Sequence, residues 1–154
     1  MLSGRSGDFD RLETSVSDQS VREAACACGD LKIRLRGDPA YVSSCCCHQC
    51  QRRSGSLYAV TAYFADHQVE ETDGAATSFH RIAESGNGLT FHFCPRCGSS
   101  VWWEAQARPG SVCVAGGAFA DAGFPSPQRM IWTEYRHPWI CTPDDLPVFP
   151  KGPS

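Results

Sequence analysis

Apolar and polar residues alternate with a period of two over several short stretches of the chain. Leu31, Ile33 and Leu35 alternate with Lys32, Arg34 and Arg36, which predicts a strand that buries one face. Leu89, Phe91 and Phe93 alternate with Thr90 and His92 after a Ser-Gly-Asn-Gly turn signal at 85–88, the pattern of a second. Residues 57–64 are rich in aromatic and β-branched side chains, and 101–104, 112–115 and 131–135 read the same way, separated by Arg-Pro-Gly and by Gly116-Gly117. Helical periodicity is weak everywhere, with only residues 50–57 suggesting a short helix. Short strands divided by Gly and Pro turns predict a small, mainly antiparallel β domain.

The two ends differ from this middle. Residues 1–21 carry Gly, Ser, Asp and Thr with few apolar positions, which predicts a flexible N-terminal segment and leaves 22–150 as a single domain. Residues 143–154 contain four prolines and are expected to lie extended on the surface. No internal repeat is visible beyond the pairing of cysteines.

Composition changes the picture at one point. Leu, Ile, Val and Phe together number only 28 of 154 residues, while cysteine numbers 10. The aliphatic core is therefore thin, and the cysteines are candidates for what supplements it. No apolar run approaches the roughly 18 residues of a membrane helix, and the polar, acidic start does not read as a secretory signal. Fourteen basic residues against 17 acidic, for a net charge of −3, make a poor footprint for nucleic acid or an anionic membrane. A cytoplasmic location is expected, where thiols are read as metal ligands or catalysts before disulfides.

Most of the cysteines fall into three clusters: Cys26-Ala27-Cys28-Gly29, Cys45-Cys46-Cys47-His48-Gln49-Cys50 and Cys94-Pro95-Arg96-Cys97-Gly98. In the third, the chain turns sharply so that two thiolates converge, and the glycine permits the positive φ that such a turn needs. Two ligands do not close a tetrahedral zinc site. Cys26 and Cys28 can supply the missing pair, giving a structural site on Cys26, Cys28, Cys94 and Cys97 that closes a long loop. Buried reduced thiols or a redox pair are the alternatives, and iron fits similar sulfur sites.

In the second cluster, alternate residues of an extended segment share a face, so Cys45 and Cys47 point together and Cys46 points away. Cys50 returns toward them through a turn. Three protein ligands with an open position is the arrangement of a catalytic zinc; closure by Cys46 or His48 would make the site structural, and a metal-free thiol cluster is a third reading. Three thiolates make zinc a weak Lewis acid, better suited to binding a substrate thiol as thiolate than to activating water. The chemistry suggested is the making or breaking of a carbon–sulfur bond.

These three motifs, in this order, resemble the glutathione-dependent formaldehyde-activating enzyme family, whose members include relatives of centromere protein V. Arg52, Ser54-Gly55, the Gly117-Ala118-Phe119-Ala120-Asp121 run and Trp139 add to the resemblance, which extends over roughly residues 22–150. It implies a β-tent fold like that of methionine sulfoxide reductase B. It also implies two zinc ions per chain: a structural one on Cys26, Cys28, Cys94 and Cys97 and a catalytic one on Cys45, Cys47 and Cys50. The implied activity is a carbon–sulfur lyase that adds glutathione to formaldehyde, giving S-hydroxymethylglutathione through a zinc-bound thiolate. Cys46 departs from the pattern, since many relatives have histidine there.

Other residues carry weaker expectations. Arg52 and Arg53 directly follow the second cluster and are candidates for a contact with a carboxylate of the thiol substrate; the alternative is a solvated surface pair. Trp102 and Trp103 point to opposite faces of one strand, one into the core and the other toward a pocket. His92 is expected on an outer face, Asp121 in a turn and Cys113 in the core, while His137 and Glu134 are candidate acid–base groups without a placement. The competing functional reading is a non-catalytic binding module in which both metals are structural.

Overall fold

Ten short strands and one short helix make up the fold of the protein, a computed structural model that describes residues 20–152. In chain order these are β1 (Val21–Ala25), β2 (Lys32–Arg36), β3 (Tyr41–Cys45), α1 (His48–Ser54), β4 (Ala59–Ala65), β5 (Val69–Asp73), β6 (Thr77–Ile82), β7 (Gly88–Phe93), β8 (Ser100–Ala105), β9 (Ser111–Ala115) and β10 (Met130–Ile131). They form a three-stranded sheet, β1-β2-β5, and a seven-stranded sheet, β10-β3-β4-β9-β8-β7-β6. Every pairing is antiparallel except β10 with β3, which is parallel. Among the described residues, no helix is long and apolar enough to cross a membrane.

The alternation on β2 sets the packing. Leu31, Ile33 and Leu35 are buried while Arg34 and Arg36 face solvent and meet Glu23, Glu71 and Glu70. The buried side packs against Phe64, Val101, Val112 and Val114 of the large sheet, and Cys26 and Cys94 belong to the same cluster. The core thus lies between the two sheets with cysteine sulfurs at its margin. Trp102 and Trp103 divide as a strand requires: Trp102 joins this core, and Trp103 packs with Phe91 and Cys113 on the opposite face of the large sheet.

Several expectations are corrected. Residues 131–135 do not form a strand. β10 ends at Ile131, Trp132 takes φ +57°, and Thr133–Tyr135 make a 3-10 turn; a left-handed residue cannot continue an extended chain. The antiparallel expectation needs the parallel β10–β3 pair added, which forms because the chain returns beside β3 after a long excursion. The suggested helix at 50–57 is α1, shifted two to three residues earlier. Strands β1, β3, β5 and β6 escaped the hydrophobic pattern; β5 and β6 are almost wholly exposed, so burial never wrote an apolar face into them. The expected flexible segment 1–21 lies outside the described residues up to position 19, and Val21 already pairs with Arg36. The proline-rich end docks against β10, with Met130 N–H donating to Pro147 O and Phe149 N–H donating to Met130 O.

Candidate metal centres and the adjoining groove

Two tight turns from distant parts of the chain build the first cysteine group. After β1, Gly29 takes φ +82° and its N–H donates to Cys26 O; after β7, Gly98 takes φ +76° and its N–H donates to Cys94 O. These turns carry Cys26 and Cys28, and Cys94 and Cys97. Side chains lock one to the other: Arg96 pairs with Asp30 at 2.9 Å, and Ala27 N–H donates to Ser99 Oγ at 3.2 Å. The Arg96 guanidinium holds the Asp30 carboxyl below its ordinary range.

The four sulfurs lie within 4.8 Å of one another, with Cys26 to Cys28 at 3.5 Å and Cys28 to Cys94 at 3.7 Å. These separations are far beyond the roughly 2.05 Å of a disulfide. They match the edge of about 3.8 Å that a sulfur tetrahedron has when each metal–sulfur bond is about 2.3 Å. Leu31 N–H points at Cys26 Sγ from 3.2 Å, a donor that favours the charged sulfur. Cys97 is held low, at about 5, first by its contact with the Ser99 hydroxyl. The donor set therefore fits a tetrahedral metal such as zinc.

The second group joins the end of β3 to the start of α1. Cys45 closes the strand, Cys47 caps the helix and Cys50 lies in its first turn, where its N–H donates to Cys47 Sγ at 3.4 Å. These three sulfurs also lie within 4.8 Å of one another. Three thiolates at such separations repel strongly. The protein alone gathers the charge on Cys47, whose pKa is lowered by hydrogen bonds from the Cys45 and Cys50 thiols, while those two are raised. A divalent cation would release the remaining protons, so this trio also fits a metal.

Cys46 and His48 stand outside the trio. Cys46 is fully buried on the other side of the chain, its N–H donating to Ile131 O and its carbonyl accepting from Gln51 Nε2 at 2.8 Å. The His48 ring packs at a tilt against Tyr135, with 4.3 Å between centroids and 37° between planes. Alternation along an extended strand, which sends Cys46 away from Cys45 and Cys47, is what the structure shows.

Arg53 is not a solvated surface residue. Its guanidinium lies over Trp103 at 4.4 Å and over Phe91 at 5.2 Å, a cation–π stack. Burial lowers its pKa, and its Nε is buried without a hydrogen-bond partner. Arg52 remains exposed. Both line a groove of about 400 Å³ together with Arg81, Phe79, Phe91 and Phe93, and no carboxylate lines it. A second cavity of about 540 Å³ shares Arg53, Gly98 and Ser100 with this groove and extends to Tyr58 and Cys97. Arg81 was missed in the sequence because β6 was missed; the alternation of Phe79 and Arg81 with Ser78 and His80 was the available signal.

The remaining candidates belong to neither sulfur group. His137 Nε2 lies 3.4 Å from Gln51 Oε1, bracing the helix, and Glu134 sits in the 3-10 turn. His92 bonds Ser78 and Glu104 and stacks on Trp102. Asp121 accepts the Gly123 N–H at 2.8 Å, a turn residue, and Cys113 is buried.

A mainly β domain with a four-cysteine and a three-cysteine cluster defines a class of cysteine-rich β protein suited to metal binding. The chain belongs to the glutathione-dependent formaldehyde-activating enzyme family, which residues 21–135 match. A crystal structure of a Rhodobacter sphaeroides protein is similar over 67% of this chain and 90% of that one, with 20% sequence identity and a TM-score of 0.50, a likeness of fold. No protein of curated function matches the sequence.

Proposed function

We propose that the protein is a zinc-dependent carbon–sulfur lyase that joins glutathione, or a similar thiol, to formaldehyde or a related small electrophile. Family membership supports the glutathione and formaldehyde theme. The observation that carries the catalytic reading is the trio of Cys45, Cys47 and Cys50, which gathers three sulfurs and leaves Cys46 and His48 outside. Cys26, Cys28, Cys94 and Cys97 would hold a structural zinc between the two sheets, completing the β-tent arrangement that the family implies. The domain is taken to run through residue 150, since Phe149 and Val148 pair with Met130 beyond the matched segment. Ten unpaired cysteines suit a reducing compartment such as the cytoplasm.

The reaction sets the chemical requirements. Adding a thiol to an aldehyde forms one carbon–sulfur bond, turns the carbonyl into a hydroxyl, and moves one proton from sulfur to oxygen. A zinc at the trio supplies the means to hold a substrate thiol as thiolate near pH 7. The chain's own contribution is rigidity and placement. The Gln51 amide ties α1 to Cys46 O and to Tyr135 O at 3.3 Å, fixing the helix that carries Cys47 and Cys50. Arg53, one turn beyond Cys50, presents a positive charge at a water-poor position beside the sulfurs.

Cobalt substitution tests this reading. Glutathione added to the cobalt-loaded protein is expected to change the ligand-field spectrum of the trio and to leave that of the four-cysteine site unchanged. An unchanged spectrum at saturating glutathione would mean that no substrate thiol reaches the metal, and both sites would then be structural.

A further inference from the structure

We infer that the groove beside α1 seats the carboxylate end of the thiol substrate, and that Arg81 of β6 determines the preference for acidic over neutral thiols. This deepens the lyase reading and rests on it for the position of the sulfur.

The charge arrangement points to an anion. Arg22, Arg34, Arg36 and Arg96 each hold a carboxylate. Among the described residues, Arg52, Arg53, Arg81, Arg108, Arg129 and Arg136 hold none, and the first three line one groove. Arg53 and Arg81 lie over the same ring, Phe91, at 5.2 and 5.5 Å from its centroid. The sulfurs of the trio, Cys50 first, are the negative neighbours of Arg53, but no carboxylate lines the groove that it shares with Arg81, so an anion placed between the two guanidiniums is attracted by both. Arg53 lines the groove and is already largely desolvated by its stack on Trp103, so a carboxylate entering the groove pairs with its charge at little further desolvation cost to the guanidinium.

The rest of the groove suits the remainder of such a molecule. Phe79 is 57% exposed on an edge strand, and Phe91 and Phe93 continue the same apolar lining, against which a methylene stem can pack. Cys50 and Arg53 are neighbours at i and i+3 on α1, where side chains lie about 5–6 Å apart at Cβ. A thiol that reaches the sulfur trio therefore has its carboxylate within range of Arg53 only if a short stem separates the two groups. Arg81 approaches from β6 on the far side, and its one side-chain hydrogen bond goes to Ile82 O at 3.5 Å, so it is free to turn toward a ligand.

Arg81 is the residue to test, since it lies on an edge strand and Arg81→Gln keeps part of the side chain that covers Phe91. Binding of S-methylglutathione, which keeps both carboxylates and has no free thiol, is measured by calorimetry on wild type, Arg81→Gln and Arg81→Lys. The expected result is a roughly tenfold weaker Kd for Arg81→Gln, partial recovery for Arg81→Lys, and weakening of wild-type binding with salt. The kcat/KM ratio for glutathione over 2-mercaptoethanol should fall by a similar factor in Arg81→Gln. Equal Kd values for wild type and Arg81→Gln, or no wild-type binding, would overturn the inference. If S-methylglutathione binds in an Arg81-dependent manner but no thiol yields an adduct, the anion site stands and the lyase reading fails. If adducts form with an unchanged thiol preference, the lyase reading stands and the inference fails.

Discussion

Cys97→Ser separates the metal's contribution to stability from that of packing. Cys97 is exposed, so replacing its sulfur with oxygen removes no buried apolar surface, and an exposed change of this kind ordinarily has almost no effect. Its contact with Ser99 Oγ at 3.4 Å can be kept by a serine hydroxyl, which leaves its place among the four sulfurs as what the substitution removes. If the four sulfurs hold zinc, the outcome is very different. Structural zinc sites supply about 10–16 kcal/mol in small zinc-finger peptides, as much as the roughly 5–15 kcal/mol stability of a whole domain. The cross-link also joins Cys28 to Cys94 across 66 positions, and the aliphatic core is thin. At about 2–4 °C per kcal/mol for a chain of this size, the variant's midpoint should fall by more than about 10 °C. Thermal unfolding by circular dichroism, with and without a strong chelator, measures it. Chelator should bring wild type down to the variant's midpoint. A variant within 2 °C of untreated wild type would show that the four-cysteine group is not a stabilising metal site.

Two further outcomes follow from local geometry. Gly74 takes φ +92°, and a Cβ added there would stand 1.8 Å from Asp30 O, so Gly74→Ala should lose more than about 3 kcal/mol in urea unfolding through strain and backbone clash; a loss under 1 kcal/mol would contradict the close approach of these two turns. Burial pushes the Cys113 thiol up to about 12, whereas an unfolded thiol titrates near 8.5. Its neutral form is favoured in the fold, so this contribution to stability is intact below pH ~8.5 and is lost as pH rises through that value toward 12. Iodoacetamide at pH 8 should label exposed Cys141 and spare Cys113 in peptide maps; equal labelling would refute the burial.

Local spacing made the cysteine sites readable before the fold was. Gly29 and Gly98 each mark a turn that brings two sulfurs together, and alternation at 45–47 turns Cys46 away from its neighbours; both are short-range consequences of backbone geometry. Strands β2, β7, β8 and β9 were legible because each buries part of a face in the core. β5 and β6 were not, because their side chains stay in solvent and only backbone pairing holds them. The Arg53 stack was hidden for another reason: Trp103 and Phe91 lie far from it in sequence, and only the packing of α1 against the large sheet brings the rings under the guanidinium. Arg81 shares that dependence on long-range topology. The turn at Trp132 was equally invisible, since nothing in Ile-Trp-Thr-Glu-Tyr signals a positive φ.

The proposed reaction depends on the trio of Cys45, Cys47 and Cys50. Its most direct test follows S-hydroxymethylglutathione by NMR after mixing formaldehyde and glutathione with wild type or Cys47→Ser, with the uncatalysed rate subtracted. A wild-type rate clearly above background, reduced at least a hundredfold in a Cys47→Ser protein that remains folded, is the predicted result. Equal rates for wild type, Cys47→Ser and buffer would contradict it.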